Sequence, residues 1–439
     1  MARKAAHAPL NVFLNRRRVG LLTRETSGAV AFEYDEGWLD FDRAIPVSLS
    51  MPLREERYVG APVIAVFDNL LPDGADLRRR IAERVGAEGD DAYSLLSAIG
   101  RDCVGALQFL LDGAEPDSGE AAHSTPISDA EISRRLKSLA AAPLGLDGDD
   151  QDFRISIAGA QEKTALLKWR EEWRTPHGST PTTHILKPQI GKLSNGVDMS
   201  RSVENEHYCM TLAIAFGLPV AETAIADFDG VRTLVVTRFD RSWRSDAAAA
   251  RLPQEDFCQA LGVPPTRKYQ SEGGPGALAA LGLLRASDEP EADRALFLKA
   301  QIFFWLIGAT DGHAKNFSVH LGPRGSFRMT PLYDILSAQP AVDAGQIRHN
   351  QMKLAMSFGD SKHYVIGRMA ARHFSETARA AGVPASAVQS AFADFHENAA
   401  SAVSRTADKL PPGFPADIAE SVASALLKRV RALPASDQS

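Results

Sequence analysis

The stretch between residues 309 and 337 constrains this chain more than any other. An apolar run over residues 296–307 leads directly into a polar loop that carries Asp311, His313, Lys315 and Asn316, and a second carboxylate, Asp334, follows a short strand-like segment. One carboxylate of such a set can accept a proton from an attacking hydroxyl, while the amide and the later carboxylate can hold Mg²⁺ on nucleotide phosphates. The stretch therefore predicts a phosphotransfer site, to which the rest of the chain has to bring a nucleotide.

The bulk properties predict a soluble globular protein of two or three domains. Of the 439 residues 44% are apolar and 24% charged, and a net charge of -6 with a pI near 6.0 argues against a nucleic-acid coat. The widely spaced Cys103, Cys209 and Cys258 give no disulfide framework or zinc motif, which fits a reducing compartment. No secretory signal and no apolar stretch long enough to span a bilayer is visible, so we expect a cytoplasmic protein without membrane association.

Periodicity divides the chain into a β-rich first half and a helical second half. It predicts a small antiparallel sheet over residues 10–34, a strand over 105–111 and a polar linker over 112–129. Further strands are predicted over 183–188, 223–228 and 233–239, with an amphipathic helix over 203–216 between the first two. From residue 253 onward the pattern is helical, and the predicted helices cover residues 277–284, 296–307, 364–381, 385–403 and 418–433.

Residues 153–167 predict a hairpin with small residues in its turn. The turn carries Ser156, Ala158, Gly159 and Ala160. Because these side chains have little bulk, backbone N–H groups can approach phosphate oxygens closely. One glycine between two strands is more often an ordinary turn, so this motif is informative only together with others.

Lys187, near the end of an apolar strand, supplies a second part of a nucleotide site. Such a lysine neutralises the inner phosphates, although an edge lysine that reaches solvent gives the same pattern. Glu206 of the following helix, or alternatively Glu204, can pair with Lys187, and protein kinases use this order of lysine, helix and glutamate. Residues 236–240 then lie where the hinge between two kinase lobes reads an adenine edge.

Six motifs follow one another along the chain: Ser156-Ile-Ala-Gly-Ala-Gln-Glu-Lys-Thr164, His184-Ile-Leu-Lys-Pro188, Asn205-Glu206, Arg238-Phe-Asp-Arg241, Thr310-Asp-Gly-His-Ala-Lys-Asn-Phe-Ser318 and Leu332-Tyr-Asp-Ile-Leu336. Together with Asn69-Leu-Leu-Pro-Asp73 they closely resemble the HipA family, the serine/threonine kinase toxins of bacterial HipBA-type toxin–antitoxin modules. The resemblance covers nearly the whole chain, because residues 10–111 are also similar to the small N-terminal domain of that family.

The resemblance implies an α+β, two-lobed protein-kinase-like fold. Its N-terminal lobe would be mixed and β-rich with a small N-terminal subdomain, and its C-terminal lobe would be all-helical. The implied boundaries are a HipA-like N-terminal subdomain over residues 1–112, a linker with a helix and an acidic loop over 113–152, the N-lobe core with phosphate loop and hinge over 153–240, and the helical lobe with the catalytic loop over 241–439.

The resemblance also implies a role for each site residue, with ATP and Mg²⁺ as cofactors. Asp311 would be the catalytic base, Asn316 and Asp334 the Mg²⁺ ligands, and Lys187 the phosphate-binding lysine held by Glu206. The other expected contacts to ATP lie in the phosphate loop, in the hinge and beside the catalytic loop. They are Ala158, Gly159, Ala160, Gln161, Lys163, Val236, Thr237, Arg238, Phe239, Asp240, His313, Lys315 and Tyr333.

Ser156 matches the serine that family members autophosphorylate. A phosphate of about -2 charge on this loop would repel the phosphates of ATP and could not stay packed where a neutral serine sat, so its addition is expected to expel the loop and inactivate the protein. One departure from the family is Thr237, which stands where close relatives carry a glutamate. The change is neutral if only the backbone faces adenine.

The implied partners are a protein substrate and an antitoxin. In the best-known case the phosphate goes to a serine of glutamyl-tRNA synthetase, which stalls translation and favours a dormant, drug-tolerant state. The toxin rides on a dimer of a HipB-like helix-turn-helix antitoxin, so operator DNA would be reached mainly through that dimer. Two other functions remain open from the residues: a small-molecule kinase, and an ATP-binding scaffold that tunes repression without catalysis.

Overall fold

Residues 10–111 form a five-stranded antiparallel sheet with helices packed on it, here called the N-terminal unit. The computed structural model of the chain describes residues 7–117, 120–145, 155–159 and 161–434. In the core of the unit the Phe67 ring meets Phe32 and Phe109 edge-on, at centroid distances of 5.6 and 5.3 Å. The strands in sheet order are Tyr58–Val59, Val30–Tyr34, Arg17–Arg24, Leu10–Leu14 and Leu107–Leu111, and the helices are Glu36–Leu39, Ala61–Phe67, Ala75–Val85 and Ala92–Ile99. The predicted sheet over residues 10–34 and strand over 105–111 are confirmed.

A second antiparallel sheet, here called the central sheet, has six strands and a helix on each face. The helix Ser202–Ala215 packs on one face, and the helix Asp129–Lys137 packs on the other through Ile132 and Leu136. The latter helix begins at Ser128 because the Ser128 and Glu131 side chains form a capping box. In sheet order the strands are Thr223–Phe228, Val231–Thr237, His184–Pro188, Thr164–Trp169, Glu172–Pro176 and Ser124–Pro126, and a separate hairpin pairs Gly191–Lys192 with Asp198–Met199.

The predicted hairpin over residues 153–167 is wrong within the described residues. The first regular strand of this stretch begins at Thr164, and residues 155–159 instead make single bridges from Ile155 to Asp102 and from Gly159 to Pro72. The segment therefore pairs with the N-terminal unit and not with itself, and we call residues 155–159 the small-residue segment. Residue 160 and the acidic loop at 147–152 lie outside the described residues.

The second half of the chain is organised around one buried helix, Pro290–Ile307. Its residues Phe297, Phe303 and Ile307 are fully buried, with neighbouring helices packed around them, so nearly every side of its C-terminal part faces the core. The other helices of this helical half are Phe257–Ala260, Ala277–Leu284, Gln339–Asp343, Ala371–Ala380, Ala385–Ala407 and Ala416–Val430. In the part of the chain that the structure describes, no helix has the length and apolar character needed to cross a membrane.

The helical half also contains short strands, which the prediction of an all-helical lobe did not include. Gln254–Asp256, Ser318–Leu321 and Phe327–Met329 form a three-stranded sheet that flanks the polar loop after residue 307. Two hairpins pair Arg241–Ser245 with Ala248–Arg251 and Lys353–Phe358 with His363–Val365. Because residues 363–365 are in a strand, the helix predicted from residue 364 begins only at Ala371.

A buried ionic network joins the N-terminal unit to the end of the central sheet. Asp102 accepts hydrogen bonds from Arg241 Nη2 at 3.0 Å and Arg251 Nε at 2.8 Å, and Asp240 accepts one from Arg238 Nη2 at 2.7 Å. All five residues are buried or nearly so. Burial opposes the charge of both aspartates, but Arg238 and Arg241 hold the pKa of Asp240 at about 2, and Arg241, Arg251 and Arg238 lower the pKa of Asp102. The network fixes residues 238–241 against the N-terminal unit.

Candidate active site

A cleft of about 600 Å³ opens between the central sheet and the helical half, with residues of the N-terminal unit along one side. This volume lies in the range of pockets that hold small ligands. The structure brings nearly all the predicted site residues to its walls. They are Ala158, Gly159, Gln161, Lys163, Lys187, Glu206, Val236, Thr237, Arg238, Phe239, Asp240, Asp311, His313, Lys315, Asn316, Tyr333 and Asp334. Ala160 lies outside the described residues.

Lys187 is the charged centre of the cleft. It lies on the strand His184–Pro188, and its ammonium donates to Glu206 Oε1 at 2.8 Å and to Asp334 Oδ1 at 2.7 Å. Glu206 lies on the helix Ser202–Ala215, so the predicted pair with Lys187 is present, whereas Glu204 bonds to Gln189 and pairs with Arg232. Lys187 thus connects the central sheet to the helical half across the cleft.

The two carboxylates share one ammonium, and their pKa values move apart. Burial raises the pKa of Glu206 to about 7 despite the nearby Lys187. Burial acts the same way on Asp334, but Lys187 and Lys163 outweigh it and hold its pKa at about 2. Burial opposes the charge on Lys187 as well, and the two carboxylates more than offset this and raise its pKa. At neutral pH the firmly charged pair is therefore Lys187 with Asp334.

The polar loop starts where Gly308 ends the long buried helix in a left-handed conformation, with φ +75°. Within the loop, His313 N and Asn316 Nδ2 both donate to the Asp311 carbonyl oxygen, at 2.8 and 2.6 Å. These bonds fix the backbone of Asp311. They occupy the amide nitrogen of Asn316 and leave its amide oxygen available to a ligand. The Asp311 side chain is half-exposed at the cleft, where surrounding protein raises its pKa to about 6.

His313 lies next to Asp311, and its imidazole is neutral at physiological pH. Its side chain is 4% exposed, and burial together with Lys268 lowers its pKa to about 3. Its Nδ1 is buried without a hydrogen-bond partner among the described residues, and its Nε2 is 3.8 Å from Asp311 Oδ1, beyond hydrogen-bonding distance. Asp334 follows in the chain with φ +59°, an uncommon backbone for a residue other than glycine and one that clusters at functional sites.

Lys315 lines the cleft, but its ammonium is already occupied. It donates to Asn69 O at 2.9 Å, to Asn69 Oδ1 at 2.7 Å and to Asp256 Oδ2 at 2.8 Å. Burial opposes its charge, and Asp256 with Asp73 more than compensates, so its pKa is raised. Lys315 therefore anchors the polar loop to the N-terminal unit and has no donor left for a nucleotide in this structure.

The predicted hinge residues divide into two groups. Val236, Thr237 and Phe239 line the cleft, and the Phe239 ring lies 5.7 Å from that of Tyr333. The side chains of Arg238 and Asp240, by contrast, turn into the buried ionic network and are 2% and 5% exposed. Only their backbone is placed to meet a ligand, which agrees with a hinge whose backbone groups would read an adenine edge.

The small-residue segment lies along the cleft wall next to Lys163. Gly159 has φ +108°, and a Cβ there would lie 2.5 Å from Lys163 Nζ, so both conformation and space require glycine. Lys163 Nζ donates to Ala158 O at 2.6 Å, and burial beside Lys187 lowers its pKa to about 8. Ser156 is fully buried, and its hydroxyl donates to Leu70 O at 2.8 Å.

Among the residues that sequence reasoning missed are Asp73 and Lys268, which line the cleft, and Tyr269, whose hydroxyl reaches Asp311. Asp73 of the N-terminal unit accepts from Lys268 Nζ at 2.7 Å, and the neighbouring Tyr269 donates its hydroxyl to Asp311 Oδ1. Burial and Asp311 raise the pKa of Tyr269, so this hydroxyl keeps its proton. The motif at residues 69–73 was a signal for Asp73, but residues 265–276 show no periodicity that would place them in the cleft.

Comparison with known proteins gives two domain matches and several full-length relatives. The HipA-like C-terminal domain matches residues 155–403 and the HipA N-terminal domain matches residues 10–110. Y4mE of Sinorhizobium fredii is 37% identical over 400 residues, which are 90% of this chain and 91% of that protein. The serine/threonine-protein kinase toxin HipA of Shewanella oneidensis is 28% identical over 366 residues, or 80% of this chain and 78% of that one.

The fold has a solved counterpart. The structure of S. oneidensis HipA with HipB and operator DNA superposes with a TM-score of 0.78 at 24% identity, over 96% of each chain. The predicted two-lobed fold with sheets first and helices after is therefore confirmed.

Proposed function

The chain belongs to the HipA family of serine/threonine-protein kinase toxins, and we propose that it acts as an ATP- and Mg²⁺-dependent protein kinase, the toxin of a toxin–antitoxin pair. One observation carries this: four polar groups of three chemical kinds, from three parts of the chain, meet in a single cleft. They are the ammonium of Lys187, the carboxylates of Asp334 and Asp311, and the amide of Asn316.

The residues fit a nucleotide with its magnesium ion. Asp334 Oδ1 bonds to Lys187, and among the described residues no donor bonds to Oδ2, so one carboxylate oxygen is free for a cation. The Asn316 amide nitrogen is fixed on Asp311 O, which leaves its oxygen as a second ligand. Mg²⁺ is commonly bound by one or two such oxygens, with water and phosphate completing the octahedron. Bound in this way, MgATP would supply an electrophilic phosphoryl group.

Each side chain then has a defined task. Lys187, held by Glu206 on one side, places a permanent positive charge where the nucleotide phosphates would lie. Asp311 is half-exposed at the cleft and, with a pKa of about 6, is mostly ionised at neutral pH, so it can accept the proton of an acceptor hydroxyl. The neighbouring His313 is neutral, so it adds no positive charge to the attraction that Lys187 exerts on the phosphates.

The proposed partners follow from relatives. A HipB-like helix-turn-helix antitoxin dimer, through which operator DNA is reached, is supported by the solved S. oneidensis complex of HipA, HipB and operator DNA. The proposed substrate is a translation component, such as an aminoacyl-tRNA synthetase of the glutamyl type, on the strength of the family resemblance. Ser156 is the proposed autophosphorylation site.

The test replaces Asp311, the proposed proton acceptor. Wild type and Asp311→Asn are induced without antitoxin in a bacterial host, and growth is recorded with quantitative phosphoproteomics. We expect Asp311→Asn to lose about 10³-fold in phosphate transfer and to be non-toxic, because the amide of asparagine cannot accept the proton of the acceptor hydroxyl. Asp360→Asn, at an exposed aspartate outside the cleft, is the matched control. Undiminished toxicity of a folded Asp311→Asn protein would show that binding alone arrests growth.

A further inference from the structure

The Tyr269 side chain is hydrogen-bonded to Asp311, the carboxylate that we propose as the proton acceptor. Its hydroxyl donates to Asp311 Oδ1, and its ring meets the His313 ring edge-on at a centroid distance of 4.7 Å. Among the described residues, no other group donates a hydrogen bond to the Asp311 carboxylate. An acceptor hydroxyl would need that same hydrogen bond before it could lose its proton. The phenol therefore holds the Oδ1 position, and a substrate hydroxyl that is to give its proton to this oxygen has to replace the phenol.

We propose that Tyr269 is a specificity-determining gate at the acceptor position: its hydroxyl takes the place of the substrate hydroxyl on Asp311 and keeps water and poorly fitting proteins from that carboxylate. This rests on the proposed function, in which Asp311 accepts the proton. A protein substrate must displace the phenol, so only a surface that engages the loop carrying Tyr269 gains access to the phosphate.

The contacts of Asp311 separate this role from a merely structural one. The backbone of Asp311 is already positioned by His313 N and Asn316 Nδ2, both bonded to its carbonyl oxygen. The hydrogen bond from Tyr269 is thus not needed to place Asp311. It engages only the half-exposed carboxylate, which is the part that reacts.

The loop at residues 265–276 holds Tyr269 in this position, and its side chains are bonded to two separate parts of the molecule. On one side Lys268 Nζ bonds to Asp73 of the N-terminal unit at 2.7 Å, and on the other the Gln270 amide exchanges two hydrogen bonds with Ser357, at 2.9 and 2.7 Å. Gly274 closes the loop, because a Cβ at that position would lie 1.9 Å from Arg267 O. The loop therefore connects the N-terminal unit to the helical half next to Asp311.

The chemical step that Tyr269 would control is the transfer of the γ-phosphoryl group to the acceptor oxygen. Once the phenol has left, the acceptor oxygen forms a bond to the γ-phosphorus, the bond from that phosphorus to the bridging oxygen of ADP breaks, and the acceptor's proton passes to Asp311. If water reaches Asp311 instead of a protein hydroxyl, the same step releases phosphate and wastes ATP. Restricting access to Asp311 thus restricts hydrolysis.

The experiment measures ATP hydrolysis in the absence of any protein acceptor, with MgATP as the only ligand. Full-length wild type, Tyr269→Phe and Tyr364→Phe are treated with phosphatase and freed of it, and the initial rate of phosphate release is recorded before Ser156 is modified again. Tyr269→Phe keeps the ring against His313 and removes only the hydroxyl, and Tyr364 is an exposed tyrosine outside the cleft. Thermal unfolding checks that each variant is folded.

We expect Tyr269→Phe to hydrolyse ATP about tenfold faster than wild type with an unchanged KM for MgATP, which corresponds to the loss of one hydrogen bond to a charged group. Tyr364→Phe should match wild type. An unchanged or slower rate in Tyr269→Phe overturns the gate, and a slower rate would make Tyr269 a positioning residue for Asp311. The proposed function is judged separately, since it fails only if Asp311→Asn remains toxic.

Discussion

At the scale of single residues, the arrangement of the cleft depends on a small number of lysine ammonium groups and on the partners that each of them binds. Lys187 bonds to both Glu206 and Asp334, while Lys163 is turned to a backbone carbonyl and Lys315 is bound to the N-terminal unit. A ligand that brings several negative charges would find Lys187 and the buried Lys163 nearby. The resting arrangement thus has its cations held in place before the nucleotide arrives, which lowers the cost of ordering them.

Ser156 gives the prediction at this scale. Its hydroxyl donates to Leu70 O at 2.8 Å and its backbone N to Asp102 O at 2.9 Å, and the side chain has no exposed surface. We expect incubation with MgATP to add one phosphate at Ser156, slowly, because the segment must first leave its pocket. Intact-protein mass spectrometry measures the addition. Limited proteolysis of the product should show new cleavage near residues 155–163, since a doubly charged phosphate cannot return to that pocket.

The control for Ser156 is a second buried serine. Ser133 donates to Asp229 O at 3.3 Å on the far face of the central sheet, so Ser133→Ala should still gain the phosphate and Ser156→Ala should not. A phosphate found at Ser156 with an unchanged proteolysis pattern would contradict the expulsion of the segment. An unphosphorylated protein whose mass does not change would contradict autophosphorylation itself.

At the scale of secondary-structure elements, the turn that ends the long buried helix sets the position of the polar loop. Gly308 has φ +75°, and Ala309 N donates back to Phe304 O at 2.8 Å. We expect Gly308→Ala to lose about 1–2 kcal/mol of unfolding free energy, because a side chain is strained in the left-handed region. An added Cβ would also lie 3.3 Å from Met352 Sδ. Urea unfolding measures the loss, and kcat should fall more than KM for MgATP rises, because Asp311 lies three residues on.

The matched control is another glycine in a helix. Gly282 lies inside the helix Ala277–Leu284 with nothing within 4 Å of an added Cβ, so Gly282→Ala should gain about 0.5–1 kcal/mol and leave kcat unchanged. If Gly308→Ala were as stable and as active as wild type, the turn would tolerate a side chain and would not be what fixes the loop.

Most of these elements were predictable from sequence because their apolar residues follow a local period. The helix Ala277–Leu284 was predicted at its observed bounds, and the strand pair Thr223–Phe228 with Val231–Thr237 within two residues. Side-chain destinations were not predictable where the partner is remote in sequence. Arg238 resembles a hinge residue locally, yet it turns to Asp102 and Asp240, and Lys315 turns to Asn69, 246 positions away. Such pairings depend on how the units pack, which no local pattern encodes.

At the scale of the whole molecule, the N-terminal unit is a wall of the cleft and not an appendage. It supplies Asn69 to Lys315 and Asp73 to Lys268, and its Asp102 carbonyl holds Ser156. The unit has its own core around Phe32 and Phe67. Ile155 and Ile157 of the small-residue segment belong to this core as well. The polar contacts add direction and register to elements that hydrophobic packing alone would leave free to shift.

The buried ionic network therefore makes the stability of the molecule depend on pH. Asp240 has a pKa of about 2 in the folded protein and about 3.9 when unfolded, and that of Asp102 is lowered further. Between these two pKa values the unfolded chain binds more protons than the native one, so the free energy of unfolding rises with pH. The contribution, about 2 kcal/mol from Asp240 alone, is complete above about pH 5 and lost as the pH falls toward 2.

Asp102→Asn tests this dependence. Arg241 and Arg251 would lose the carboxylate that they share while remaining buried, so we expect about 3–5 kcal/mol less unfolding free energy at pH 7. The variant should also lose less stability than wild type between pH 5 and pH 3, because one carboxylate of the network no longer takes up a proton. Urea unfolding at a series of pH values measures both, with the exposed Asp360→Asn as control. Parallel curves for wild type and Asp102→Asn would contradict the assignment, since an acid sensitivity that survives the loss of Asp102 must arise elsewhere in the chain.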